Sequence, residues 1–310
     1  MNPFAVILPD FLIIFLGLIL RARLRYDDAF WDAAERLVFK VLFPPLLFMS
    51  VAQSKITPSS AALFLSVGVA SMLLAVGASA SFRLFIKDNP VTHASVFQCG
   101  FRFNTYIGFS ICLQLFDRTG FALLALLIAF WVPVSNTIAV SVLASVVAKA
   151  EGGAVGKKPS IFKTVVTNPL IIATVLGLAW NVTGWTIPTV PAVFLKHLGS
   201  ASLAMGLLCI GAGLRLQAFR GHGALIVAST VERLIVVPTI AWGMGVAFGL
   251  SPVQAGVLLL FAALPTAQSC YVMTATMRGD AASVAAGTTA QTLAAMATLP
   301  VWTALIQSLA

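Results

Sequence analysis

The chain has 310 residues, 59% of them hydrophobic and 9% charged, with a mean hydropathy of +0.99. A soluble domain of this length is never so poor in charge, so the composition describes a chain that crosses a bilayer repeatedly and excludes an ordinary water-soluble enzyme. The net charge of +9 would suggest nucleic acid in a soluble protein, but here it belongs to the loops.

A helical span needs roughly 20 mainly apolar residues to cross about 30 Å of hydrocarbon. Ten such stretches occur, at about residues 4–22, 37–54, 60–82, 94–116, 119–147, 165–183, 193–216, 223–249, 252–277 and 281–308. The first reads as a retained helix and not as a signal peptide, because Arg21, Arg23 and Arg25 follow its apolar run and no basic segment precedes it. Asp10, near the outer end of that helix, is expected to be solvated, and Lys40 in the second is expected to snorkel. Connections after odd-numbered spans carry Arg21, Arg23, Arg25, Arg36, Arg83, Lys87, Lys149, Lys157, Lys158, Lys163, Arg215, Arg220 and Arg278, whereas those after even-numbered spans carry Lys55, Arg118 and Lys196. The bias puts the odd connections in the cytoplasm and both termini outside.

The fourth stretch contains Gln98, Arg102, Asn104 and Thr105. Gln98, Arg102 and Thr105 share a helical stripe if the segment stays helical that far. An arginine well inside a span is costly unless it faces a cavity or a partner, so Arg102 reads as an anion-binding candidate, with snorkelling or a scaffold carboxylate as the alternatives. Asn104 and Thr105 suit either a backbone break or direct ligand contact. In the fifth stretch Asn136 follows Pro133, with Ser135 and Thr137 beside it. In the eighth, Glu232 and Arg233 form a local pair, or Glu232 partners Arg102; adjacent residues point about 100° apart, so at most one should face a given cavity. The ninth runs Pro265-Thr266-Ala267-Gln268-Ser269. Pro265 removes a donor and predicts a break there, leaving Gln268 and Ser269 at the positive end of a second half-helix. Gln291 and Thr292 in the tenth stretch are the remaining polar neighbours, explained as well by interhelical hydrogen bonding.

Comparing residues 160 apart aligns Pro9 with Pro169, Leu16 with Leu176, Gly17 with Gly177, and Asn104-Thr105 with Leu264-Pro265. Five spans is an odd number, so a second copy enters the membrane upside down. The expected fold is therefore an all-α polytopic membrane protein, a 5+5 inverted repeat with broken helices 4 and 9 crossing at midplane. Its parts are residues 1–148, a polar cytoplasmic linker at 149–164, and residues 165–310. Paired breaks of this kind mark a transporter's substrate site. Cys99, Cys112, Cys209 and Cys270 lie singly inside spans and read as apolar fillers, and the isolated histidines offer neither a metal site nor, with isolated serines and cysteines, a catalytic pair.

The run Phe101-Arg102-Phe103-Asn104-Thr105 with Gly108 carries a resemblance, as do Asn168-Pro169-Leu170-Ile171-Ile172 with Leu176-Gly177-Leu178, Ile210-Gly211-Ala212-Gly213-Leu214, and Leu264-Pro265-Thr266 with Gly279-Asp280. In order and spacing these resemble the auxin efflux carrier family, and most nearly its bacterial members similar to malate permeases. The resemblance implies a ten-helix fold distantly shared with bile acid/sodium symporters, with helices 1, 2, 6 and 7 as scaffold and helices 3–5 and 8–10 as a transport domain. It also implies small organic anions, auxin-like or dicarboxylate, as substrates. Phe103 stands where plant members have a proline, which implies a gentler break.

The combined expectation is a secondary transporter of the bacterial inner membrane that works by alternating access and is not an enzyme. Its substrate site is expected at Gln98, Arg102, Asn104, Thr105, Asn136, Pro265, Thr266, Gln268, Ser269 and Gln291. A sodium-coupled symporter and an anion channel are the alternatives. Coupling stays open between Na+, for which Thr105, Thr266 and Gln268 offer oxygens, H+, for which Glu232 is the candidate, and neither. Beyond the anion and the lipid, a homodimer through the scaffold helices is among the expected partners, and nucleic acid is not.

Overall fold

The computed structural model describes residues 2–24, 26–54, 58–116, 118–152, 166–215 and 223–309. Arg25, Lys55, Lys157, Lys158, Lys163, Arg220, His222 and most of the expected linker lie outside them. Among the described residues every regular element is helical. Six helices are long and apolar enough to cross a membrane, namely Pro3–Leu24, Ala61–Phe85, Arg118–Ala150, Thr189–Gly213, Gly223–Ala247 and Ala281–Ser308. The other expected spans are also helical, but they are shorter or subdivided.

The subdivisions have local causes. After α1 (Pro3–Leu24), α2 (Asp28–Leu37) starts where the Asp27 side chain accepts the Phe30 N–H. It runs through a π-helical turn, Val38–Leu42, into α3 (Phe43–Ala52). Pro44 and Pro45 cannot donate to the carbonyls four residues back, and the wider turn, in which Phe43 N–H reaches the Val38 carbonyl, absorbs the defect. The same device joins α10 (Gly223–Val231) to α11 (Val237–Ala247) through Glu232–Val236, just before Pro238. There the Leu234 carbonyl freed by Pro238 is taken by Trp302 Nε1 at 2.8 Å.

Between them lie α4 (Pro58–Phe85), α5 (Pro90–Val96), α6 (Thr105–Leu115), α7 (Arg118–Ala150), α8 (Pro169–Thr183) and α9 (Thr189–Gly213). The chain closes with α12 (Pro252–Ala263), α13 (Ser269–Thr276) and α14 (Ala281–Leu309). A cap residue followed by proline opens α8 at Asn168-Pro169, with the Asn168 side chain accepting the Leu170 N–H, and the helix stops at left-handed Gly184 with φ 66°.

Small residues let one group of helices touch backbone to backbone. A Cβ on Gly17 of α1 would strike the Leu208 carbonyl of α9, and one on Gly211 of α9 would strike the Ile14 carbonyl of α1. Gly177 of α8 faces Val51 and the Phe48 carbonyl of α3, and Gly199 of α9 rests on Leu46 of α3. Elsewhere α12, buried without interruption from Gln254 to Ala263, packs against α4, α7, α11 and α14. A helix apolar all round belongs in such a position.

Asp10 corrects an expectation. It is buried, because α1 lies against α6, and its Oδ1 accepts a 2.8 Å hydrogen bond from Ser110 Oγ.

Candidate functional site

Helical structure stops after Gly100 and resumes at Thr105, and it stops again after Ala263 and resumes at Ser269. Inside a membrane the freed backbone groups of both gaps need partners, and most are found within the protein. Asn104 N–H donates to the Pro265 carbonyl at 2.8 Å, tying one gap to the other. The Phe101 carbonyl accepts from Trp131 Nε1 at 3.0 Å. Arg233 donates to the Leu264 carbonyl through Nε at 2.6 Å and to the Phe261 carbonyl through Nη2 at 3.0 Å. Gln291 accepts from Thr266 N–H at 3.0 Å and gives its own amide hydrogens to the Cys99 and Ser229 carbonyls.

Two new helix starts result. Asn104 caps α6 by accepting the N–H groups of Tyr106 and Ile107. Gln268 precedes the first residue of α13, Ser269. The positive ends of both half-helices carry side chains that line one cavity of about 100 Å³, which Asn104, Thr105, Gln268 and Ser269 share with Glu35, Phe39, Tyr106, Leu170, Cys209 and Ile210. It adjoins a vestibule of about 640 Å³ lined by Arg21, Arg36, Lys40 and Arg215 as well as Asp28 and Asp32. Arg21 donates to the Ala212 carbonyl at the end of α9 and pairs with Asp28 at 2.6 Å, so the rim of the vestibule is itself held together.

Arg102 stands behind this wall. Its guanidinium meets Gln98 Oε1 at 2.7 Å, Ser269 Oγ at 3.0 Å and Met273 Sδ at 3.5 Å. Gln98 in turn donates to Thr274 Oγ1 at 2.9 Å, joining the two interrupted segments a second time. The stripe expected from Gln98 through Thr105 does not persist, because a tight 3-10 turn at Phe97–Gly100 and the gap after it change the pitch.

Of the residues singled out in the sequence, Asn104, Thr105, Gln268 and Ser269 line the cavity. Arg102 and Gln98 back it, while Pro265, Thr266 and Gln291 serve the backbone of the gaps. Asn136 sits half-buried on α7 and Glu232 is buried beside Ser79, whose hydroxyl it accepts at 2.7 Å. Neither lines the cavity. Glu232 and Arg233 are both buried, at 2% and 0% exposure, and they face different partners: Ser79 for the first, the α12 carbonyls for the second. Glu35 and Trp131 escaped the sequence reading, which took Arg233 only as a neighbour of Glu232. For Glu35 a signal existed, since Trp31, Glu35 and Phe39 recur at fourth positions and make one face of α2.

Residues 4–303 match the model of a family described as membrane transport protein. None of the curated proteins compared matches the chain.

Proposed function

Since the chain belongs to the membrane transport protein family, that of the auxin efflux carriers, we propose that it is a secondary transporter which carries a small organic anion across the bacterial inner membrane by alternating access. The observation that carries this reading is the joining of two interrupted apolar helices by the Asn104–Pro265 hydrogen bond, beside a cavity that receives both half-helix starts. Preorganised N–H groups at helix starts favour a carboxylate, and Arg102, touching Ser269 Oγ, adds positive charge close behind.

On this reading the chain crosses the membrane ten times as a 5+5 inverted repeat with both termini outside, and α5/α6 and α12/α13 are the broken pair crossing at midplane. The tightly packed α1, α3, α8 and α9 are the scaffold, and the remaining helices move against it. The vestibule beside Arg21, Arg36 and Arg215 is then the cytoplasmic entrance, and the Asp10–Ser110 contact lies on the closed outer side. Thr266 Oγ1 is engaged with Cys270 Sγ and does not line the cavity with Thr105 and Gln268, which weighs against a sodium site built from those three.

Uptake of labelled mono- and dicarboxylates into proteoliposomes, with and without sodium and pH gradients, tests the proposal. Saturable uptake of at least one carboxylate and none of its uncharged amide is expected. Flux that rises linearly with concentration would indicate a channel instead, and a folded protein that moves no carboxylate would contradict the anion reading.

A further inference from the structure

We propose that Glu35 is the proton-carrying group of the transport cycle, so that the organic anion binds together with one proton on the Glu35 carboxylate. The inference rests on the reading of the cavity as an anion site.

The cavity walls pose an electrostatic conflict. Asn104, Thr105, Gln268 and Ser269 present two helix starts that attract a carboxylate, yet α2 supplies Glu35 to the same space of about 100 Å³. An anion held at those helix starts shares this space with Glu35, so when Glu35 is ionised the two negative charges disfavour each other. Protonating Glu35 removes the repulsion and adds an O–H donor. The geometry keeps the side chain there, because Trp31, one turn before it on α2, is buried and Phe39, one turn after it in the π-helical turn, lines the same cavity.

Glu35 also borders the vestibule, which gives it a route for exchanging protons with solvent. The groups that face it are Asp32 on its own helix, Tyr106 from α6 and Cys209 from α9. Around the vestibule stand Arg21 of α1, Asp28, Arg36 and Lys40 of the α2 segment, and Arg215 beyond α9, together with Gln268 and the α13 residues Ser269 and Tyr271. By contrast Glu232 faces Ser79 and borders neither space.

The balance is simple. The anion and one proton enter the cavity, the proton resting on a Glu35 oxygen while the ligand keeps its negative charge. Both leave once the cavity, with Glu35 in its wall, faces the other side, and the Glu35 carboxylate is regenerated there. A monoanion would then move without net charge.

The test is ligand-linked proton uptake by the purified full chain in nanodiscs, read with a pH indicator in weak buffer. Benzoate and indole-3-acetate, monocarboxylates ionised across the range, serve as probes, and their affinities are measured from pH 5.5 to 8. Wild type should take up one proton per bound probe above the Glu35 midpoint, and affinity should fall by about tenfold per pH unit there. Glu35→Gln should take up none, and its affinity should be flat with pH. Binding by wild type without proton uptake, or equal uptake by Glu35→Gln, would overturn the role of Glu35 while leaving the anion site standing. A folded protein that binds neither probe at any pH would overturn both.

Discussion

Arg233 is a fully buried cation on an apolar helix, and its use is structural. It donates to the Leu264 and Phe261 carbonyls, which lose their helical partners where α12 ends. Hydrogen bonds from a charged group contribute about 1.5–3 kcal/mol each, so Arg233→Met should lower the melting temperature in detergent by several degrees. An unchanged melting curve would remove Arg233 from the account. Asn104→Ala should cost about 1 kcal/mol from the lost α6 cap and weaken carboxylate binding at least tenfold, measured by calorimetry. Arg102→Ala should leave the fold intact and also weaken binding, because it takes the positive charge away from Ser269 Oγ. Arg102 and Asn104 were legible as isolated polar residues in an apolar run. The carbonyls that Arg233 reaches were not, because the face a helical side chain presents is set by how that helix is rotated in the bundle, and α11 and α12 carry too uniform an apolar surface to reveal it.

At the level of elements, the two interruptions could be read from Pro265 and from Asn104-Thr105, since a missing donor and a strong cap residue act locally. The π-helical turns could not. Pro44-Pro45 and Pro238 locate the missing N–H groups, but whether a helix kinks, breaks or widens depends on what can reach the freed carbonyl, and Trp302, which reaches Leu234, lies 68 residues away. Helix contacts through glycine were equally hidden, because small residues recur throughout an apolar chain. They carry a sharp expectation. Gly211→Val pushes a branched side chain into the Ile14 carbonyl and should separate α1 from α9, costing more than the roughly 1–3 kcal/mol of ordinary overpacking. Gly243→Ala, where the added Cβ meets open space, should change stability by no more than about 0.5 kcal/mol. Size-exclusion profiles of heated samples would compare the two, and equal behaviour would contradict the backbone-contact reading.

For the whole molecule, the proposed alternating-access cycle requires α1 and α6 to separate on the side where Asp10 accepts from Ser110. An Asp10→Cys, Ser110→Cys double substitution, oxidised to a disulfide, should stop transport and leave binding from the vestibule side intact, with reduction restoring transport. Transport by the fully cross-linked protein would show that this contact does not open. The claim on which all of this depends is that a carboxylate rests between the starts of α6 and α13. A cryo-EM map of the full chain with a saturating, transported carboxylate measures it most directly. The account predicts ligand density within hydrogen-bond reach of Asn104, Thr105, Gln268 or Ser269, with both helix gaps preserved. Continuous helices through residues 101–104 and 264–268, or ligand density anywhere else in the molecule, would contradict it.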